Sequence, residues 1–347
     1  MNASVGVPGW GAGPRPGRIP LPTSDESTKG AGLDATGFLI GGFRLDSFSR
    51  AYYELAFELN FVKKTATQFQ DFFSEIMEKC HPGDFQRVRP WGNVGDRKND
   101  GYLASQKILF QVYAPNEMEA AKTIAKIDED YRGAMPYWQQ YFTTWVFVHN
   151  SQSGLGPDVA RKLLDLDQSP PREVRVVRWG FEELRRKVFS LEQVDLAALL
   201  GPAPSSQTML NTGIPELQIV LRAIGTQAPP EPVDLHPIPP GKLDSNGLSE
   251  AAKTLIKHGG LRRRVVRQLF SNWPDPQFGD RVASAFRDRY AALRAANLDP
   301  TSIFMELQAF AGGLQRGTPE HESAVVTVLA YLFEACDIFE PPGEPKP

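Results

Sequence analysis

Apolar residues change their rhythm several times along the chain, and each rhythm predicts a different element. From Asp46 to Asn60 and from Thr65 to Cys80 they recur every three or four residues, the spacing of one helix face. In the second run Phe69, Phe72, Phe73, Ile76 and Met77 share that face, and Pro82 with Gly83 ends the helix. The segments FQRVRPWG (85–92), GYLASQ (101–106) and KILFQVYA (107–114) are short, rich in aromatic and β-branched residues and broken by glycine-containing turns, so they predict three strands in a meander. A helix is expected from Glu117 to Arg132, where Ala120, Ala121, Ile124, Ala125 and Ile127 share a face. TTWVFVHN (143–150) predicts a buried strand, GPDVARKLLDL (156–166) a helix, VRVVRW (174–179) a last strand and FEELRRKVF (181–189) a short helix. A meander followed by a helix and a return strand implies a mixed sheet flanked by helices.

Outside this region the pattern differs. Residues 1–35 are rich in Gly, Pro and Ser with no apolar period, and such a segment cannot bury enough surface to offset its ordering entropy, so a disordered tail is expected. Residues 45–195 hold the predicted sheet, and 196–247 turn to Pro, Gly, Ser and Gln, a connector with one embedded apolar helix, PELQIVLRAIG (215–225). Residues 248–340 have helical spacing throughout and predict an all-α bundle.

Composition narrows the function classes. The 347 residues carry 38 Lys and Arg against 41 Asp and Glu; a net charge of -3 excludes a chain that holds nucleic acid by bulk positive charge and leaves room only for a local basic groove. Mean hydropathy is -0.32, and with no run of about eighteen apolar residues no membrane span is expected. Two cysteines, Cys80 and Cys336, are too few for a disulfide framework or a four-thiolate zinc site, and the N-terminus lacks the charged-then-apolar order of a signal peptide, so a reducing, cytoplasmic compartment is expected.

Candidate chemistry concentrates in WGNVGDRKNDGYLASQKILFQVYAP (91–115). Asp96 and Asp100 fall in a Gly-rich turn, and Gln111 and Tyr113, two apart on the next strand, share a face. A carboxylate and a second oxygen ligand at one sheet edge suit Mg²⁺ or Mn²⁺ held against a phosphodiester, with a nearby Lys to orient water and offset developing charge. The bland reading of Asp96 and Asp100 is that of turn aspartates capping backbone amides. His149 ends the fourth strand near the same edge, and LRRRVVRQLF (261–270) sets Arg263 and Arg267 four apart, where they could meet phosphate or an acidic partner; a structural histidine and a solvated helix face are the plain alternatives.

With its strand order, this segment resembles the restriction-endonuclease-like superfamily, the PD-(D/E)xK nucleases, in the branch reading G-x-x-G-D-x-G-x-D-G followed by Q-x-K. Here the run is GNVGDRKNDG and then QVY, with Lys98 in place of the middle glycine. The resemblance places Asp100 at the metal-binding aspartate and Gln111 at the second ligand. Tyr113 stands where the family keeps its lysine, and Gln70 where it often has a glutamate in the first core helix. Some members carry the lysine on the helix after the third strand, which makes Lys122 and Lys126 the candidate catalytic cations here, although they are equally placed to pair with Glu119 and Asp130 on a solvated helix face. Arg97, Lys98 and Tyr113 are the candidate nucleic-acid contacts.

The run from FQDFFSEIMEKC to KIDEDY, with HESAVVTVLAYLFEACDIFE near the C-terminus, also resembles a C-terminal-domain type of bacterial ABC-three-component systems. These pair an SMC- or Rad50-like ATPase with a small middle component and an effector chain, and the resemblance implies a role in defence against phage and plasmids. Two readings follow. One is a degenerate metal-dependent nuclease acting on DNA as the effector; the other is an inert nuclease-shaped module that binds DNA or the partner ATPase as scaffold or sensor. Neither fixes the oligomeric state.

Overall fold

The computed structural model describes residues 45–89, 97–168, 174–225, 242–314, 317–335 and 338–340. The tail expected at 1–35 lies outside the described residues. Helix α1 (Ser47–Lys63) starts at Asp46, whose carboxylate accepts Ser49 N at 2.8 Å and satisfies one of the first-turn amides. Helix α2 (Ala66–Cys80) follows after two residues, and its phenylalanine stripe is fully sequestered, with Phe69 and Phe73 at 0% exposure.

Five strands form one sheet in chain order: β1 (Phe85–Arg87), β2 (Gly101–Leu103), β3 (Ile108–Tyr113), β4 (Thr144–His149) and β5 (Arg175–Trp179). β1 to β3 are antiparallel, whereas β3, β4 and β5 are parallel and are joined by α3 (Ala120–Trp138) and α4 (Pro157–Gln168). This is the mixed sheet flanked by helices that the sequence predicts. β2 is shorter than expected because Ala104 to Lys107 form its hairpin turn, with Lys107 in left-handed backbone at φ 51°. Strand alternation sends Phe110, Val112, Val146 and Val148 to one face, against the phenylalanines of α1 and α2. Leu109, Trp145 and Phe147 go to the other, against Ile127 of α3 and Val159 and Leu163 of α4.

After α5 (Phe181–Val188) the chain is helical. α6 (Gln193–Leu200) runs into the stretch read as a connector, and α7 (Ser206–Asn211), α8 (Ile214–Gly225) and α9 (Lys242–Ser245) lie within it. Then come α10 (Glu250–Gly259), α11 (Arg263–Ser271), α12 (Phe278–Ala295), α13 (Pro300–Phe310) and α14 (Pro319–Glu334), the C-terminal helical region. α14 is the central helix: every residue from Glu322 to Phe333 is buried, and α7, α8, α10, α11 and α13 surround it. Its C-terminal end is closed by Lys242, 1% exposed, whose Nζ donates to Phe333 O and Ile338 O at 2.8 Å each. An ammonium there meets the negative end of the helix dipole and supplies donors to carbonyls that no further turn would satisfy. The larger hydrophobic core runs without a break from the sheet through α1 and α2 into this helical region.

Candidate functional site

The turn before β2 decides where the first candidate residue lies. Arg97 and Lys98 adopt left-handed backbone (φ 53° and 61°), and the Asn99 side-chain oxygen accepts Gly101 N at 2.9 Å. The chain then joins the sheet at Asp100, whose N–H donates to Phe110 O at 3.0 Å. The antiparallel ladder ends with Gly101 opposite Phe110, so Asp100 lies just beyond its last rung, whereas Gln111 alternates with Phe110 and Val112 and shares the sheet face of Leu109. Both are buried, at 7% and 4% exposure. Gly101 leaves room for the Phe85 ring: a Cβ there would stand 2.4 Å from its Cζ, and that ring packs against Phe73 and Phe110. Gly101→Ala should therefore destabilise the protein by about 1–3 kcal/mol, the usual cost of overpacking. A urea-unfolding midpoint unchanged from wild type would show instead that the Phe85 ring yields freely.

Asp100 is tied on both oxygens. Gln70 Nε2, from α2, donates to Oδ1 at 3.2 Å, and Val112 N, on β3, donates to Oδ2 at 2.7 Å. The carboxylate thus joins α2 to β3 and caps a strand amide, the role that the bland reading gives a turn aspartate. Gln70 and Asp100 are thus brought together. Gln111 Oε1 is buried with no hydrogen-bond partner among the described residues. Tyr113 follows on the Gln111 face, its ring 6.1 Å from that of Phe147. Asp96 lies outside the described residues.

The cations gather elsewhere, on α3. Lys126 Nζ meets Asp130 Oδ1 at 2.7 Å, and Lys98 Nζ reaches the same oxygen at 3.2 Å while also pairing with Glu129. Gly133 leaves room for the Lys98 stem, since a Cβ there would lie 2.8 Å from its Cγ. Lys122 pairs with Glu119 at 2.7 Å on the exposed part of the helix. The sequence placed Asp130 on a solvated face, and for this residue the structure differs: it is fully buried. The signal was available, because Asp130 continues the apolar stripe of Ile127 and Ala134. Burial raises the Asp130 carboxyl above its ordinary range despite two adjacent ammoniums, and the hydrogen bond to Glu129 pushes the Lys98 ammonium up. Arg97 stacks its guanidinium 4.6 Å from the Tyr137 ring centroid, and its carbonyl accepts Trp138 Nε1 at 3.2 Å.

His149 sits beside Tyr113 in the parallel ladder and is 1% exposed, and neither ring nitrogen has a hydrogen-bond partner among the described residues. Burial foremost, and then the Arg178 charge, hold its pKa down to about 4, against the opposing pull of Glu183.

The residues fit a divalent cation poorly. Mg²⁺ and Mn²⁺ favour several hard oxygens with at least one available carboxylate. Here both oxygens of Asp100 already accept hydrogen bonds, and Gln111, the other expected ligand, offers only an amide. Among the described residues no group of three or more His, Cys, Asp or Glu could hold a metal ion. The orphaned Gln111 Oε1 is the one feature in favour.

Beyond the sheet, α8 and everything after it make up a separate stretch of helical sequence, and this stretch has a known likeness. Residues 215–340 match the family model for C-terminal domain 10 of the ABC-three component (ABC-3C) systems. The match supports membership of such a system and so implies partner proteins; the sheet and its candidate site lie outside it. No curated protein and no solved structure matches the chain. No helix among the described residues is long and apolar enough to cross a membrane.

Proposed function

We propose that the chain is a component of an ABC-three component defence assembly in which residues 45–195 form a nuclease-shaped module that binds without cutting. The succession α2, β1 to β3, α3, β4, with β3 and β4 parallel, supports a restriction-endonuclease-like descent for this module. The observation that carries the inert reading is the engagement of Asp100 by Gln70 and Val112 N. Metal-assisted hydrolysis needs a carboxylate open to the ion and a cation near the attacked phosphate. Tyr113, a phenol where the resemblance expects a lysine amine, supplies no ammonium at that position. Lys98 and Lys126 answer Asp130, and Lys122 answers Glu119, as a solvated or structural role requires. Arg97, Lys98 and Tyr113 remain the proposed contacts for DNA, and the partner ATPase and middle component the proposed protein neighbours.

A cleavage assay on supercoiled plasmid and single-stranded DNA with Mg²⁺ or Mn²⁺ tests this. Wild type and Asp100→Ala are expected to give the same background, and Tyr113→Lys to raise it. The competing reading, an active nuclease with Asp100 and Gln111 as metal ligands and Lys122 or Lys126 as displaced cation, draws on the unpartnered Gln111 oxygen. It would be restored by wild-type cleavage that chelator or Asp100→Ala abolishes.

A further inference from the structure

Where α3 ends against the β2–β3 hairpin, aromatic side chains come together. Trp138 touches two tyrosines: its ring centroid lies 6.5 Å from that of Tyr102, with planes 29° apart, and 6.3 Å from that of Tyr141, edge to face. Its Nε1 donates to Arg97 O at 3.2 Å, and Tyr102 Oη donates to Tyr141 O at 2.6 Å, so the turn before β2 and the loop after α3 are both tied to this cluster. On it Tyr137 and Tyr141 stand 49% and 50% exposed, and the Arg97 guanidinium lies 4.6 Å from the Tyr137 ring centroid. Beside Tyr141 is a cavity of about 150 Å³, lined also by Lys107, Gln139, Gln140 and Thr143, with the buried Phe142 and Val174 completing it.

The chemistry of the patch selects its occupant. A tyrosine half in water offers a ring face to a base, and stacking on such faces beside an arginine is how single strands are held without regard to sequence. Charge agrees. From Tyr131 to Pro157 the sequence has no Asp or Glu, and Arg97 and Lys107 are exposed with no carboxylate partner among the described residues. The acids that come near are engaged: Glu129 pairs with Lys98, and Asp84 accepts from Ser105 N and Oγ. Carboxamides, a hydroxyl and an ammonium around the cavity supply donors and acceptors for the edge of an unpaired base. A protein partner suits the patch less well. Between residues 97 and 149 Tyr137 and Tyr141 are the exposed large apolar side chains, so the patch lacks the aliphatic surround that keeps water from the anchors of a protein interface. A duplex keeps its base faces stacked on one another and offers none to a ring.

We propose that this patch holds single-stranded nucleic acid. Bases stack on Tyr137 and Tyr141, phosphates meet Arg97 and Lys107, and one base edge enters the cavity beside Tyr141. Of the contacts proposed above for DNA, Arg97 belongs to this platform, whereas Tyr113 lies at the other end of β3 from Lys107. The proposal deepens the reading of residues 45–195 as a module that binds nucleic acid, and rests on it.

Fluorescence anisotropy of the full chain tests it with three labelled probes of equal length: an oligothymidylate, an oligouridylate and a DNA duplex. A single strand is expected to bind roughly tenfold tighter than the duplex, the better of the two naming the sugar of the natural strand. Tyr137→Ala combined with Tyr141→Ala is expected to weaken single-strand binding roughly tenfold or more, and the corresponding phenylalanine pair, which keeps the rings, less than about twofold. Arg97→Gln is expected to reduce the slope of log affinity against log salt by about 0.7, the value for one phosphate contact on a single strand. Circular dichroism checks that the alanine pair is folded, and the Arg97 slope decides independently if it is not. Tighter binding of the duplex, single-strand affinity untouched by the alanine pair, or an unchanged salt slope would overturn the platform and leave the module a binder of nucleic acid. Absence of binding to all three probes fails both readings. An alanine pair that binds the oligonucleotides as wild type does, yet no longer assembles with the other components of its system, would make the patch a protein interface instead.

Discussion

Asp100→Ala is expected to lower stability by about 2–4 kcal/mol while leaving DNA cleavage at background. The change strips Gln70 Nε2 and Val112 N of their acceptor at a position only 7% exposed. Leaving a buried donor unsatisfied costs about 1–3 kcal/mol for each group, and removal of a buried charge returns part of this. Asp100→Asn keeps an oxygen for Val112 N and is expected to cost less than half as much. Urea unfolding of the three proteins measures the series. A catalytic carboxylate follows the opposite pattern, since its removal abolishes turnover and often leaves stability untouched or improved. An alanine variant as stable as wild type would therefore count against the structural role given to Asp100, whatever the cleavage assay shows.

Acidification should weaken the protein through His149. The imidazole is neutral in the folded state, with its pKa down at about 4, whereas an unfolded chain binds that proton near 6.5. Its contribution to stability is complete above pH 6.5 and is lost as pH falls from there toward 4, where the folded state also takes up the proton. Over that window the loss is about 3 kcal/mol, at roughly 1.4 kcal/mol for each pKa unit. The surroundings explain why charge is resisted. Phe147 stacks on the ring, with centroids 6.4 Å apart, Gly180 closes on it so tightly that a Cβ would lie 2.7 Å from Cε1, and Arg178 repels the cation more than Glu183 attracts it. His149→Leu is expected to flatten the dependence of the unfolding midpoint between pH 6.5 and 4. A variant with the same acid slope as wild type would assign that slope to other groups.

The elements of this protein follow from local pattern. The spacing of Phe69, Phe72, Phe73 and Ile76 is enough to specify a helix, and the alternation of Leu109, Phe110, Gln111 and Val112 is enough to specify a strand buried on both faces, because side-chain period depends only on backbone geometry. The pairing of β2 with β3 was likewise legible, since a hairpin of known turn sets its own register. What the side chains do there depended on distant residues. Gln70 reaches Asp100 from thirty positions earlier, and Lys98 is drawn from the turn to Glu129 and Asp130 on α3, more than thirty positions later. No local rule says which of several acids a flexible lysine will find. Burial of Asp130 and His149, and with it their shifted proton affinities, likewise arises only when α3 closes on one sheet face and Gly180 on the end of β4. The contact of Arg222 with Trp273 is the extreme case: α8 and α11 are separated by some forty residues, and their convergence around α14 sets the Arg222 guanidinium 5.8 Å from the Trp273 ring. Periodicity is a property of neighbours in the chain, whereas charge pairing, desolvation and the shape of a cleft belong to neighbours in space.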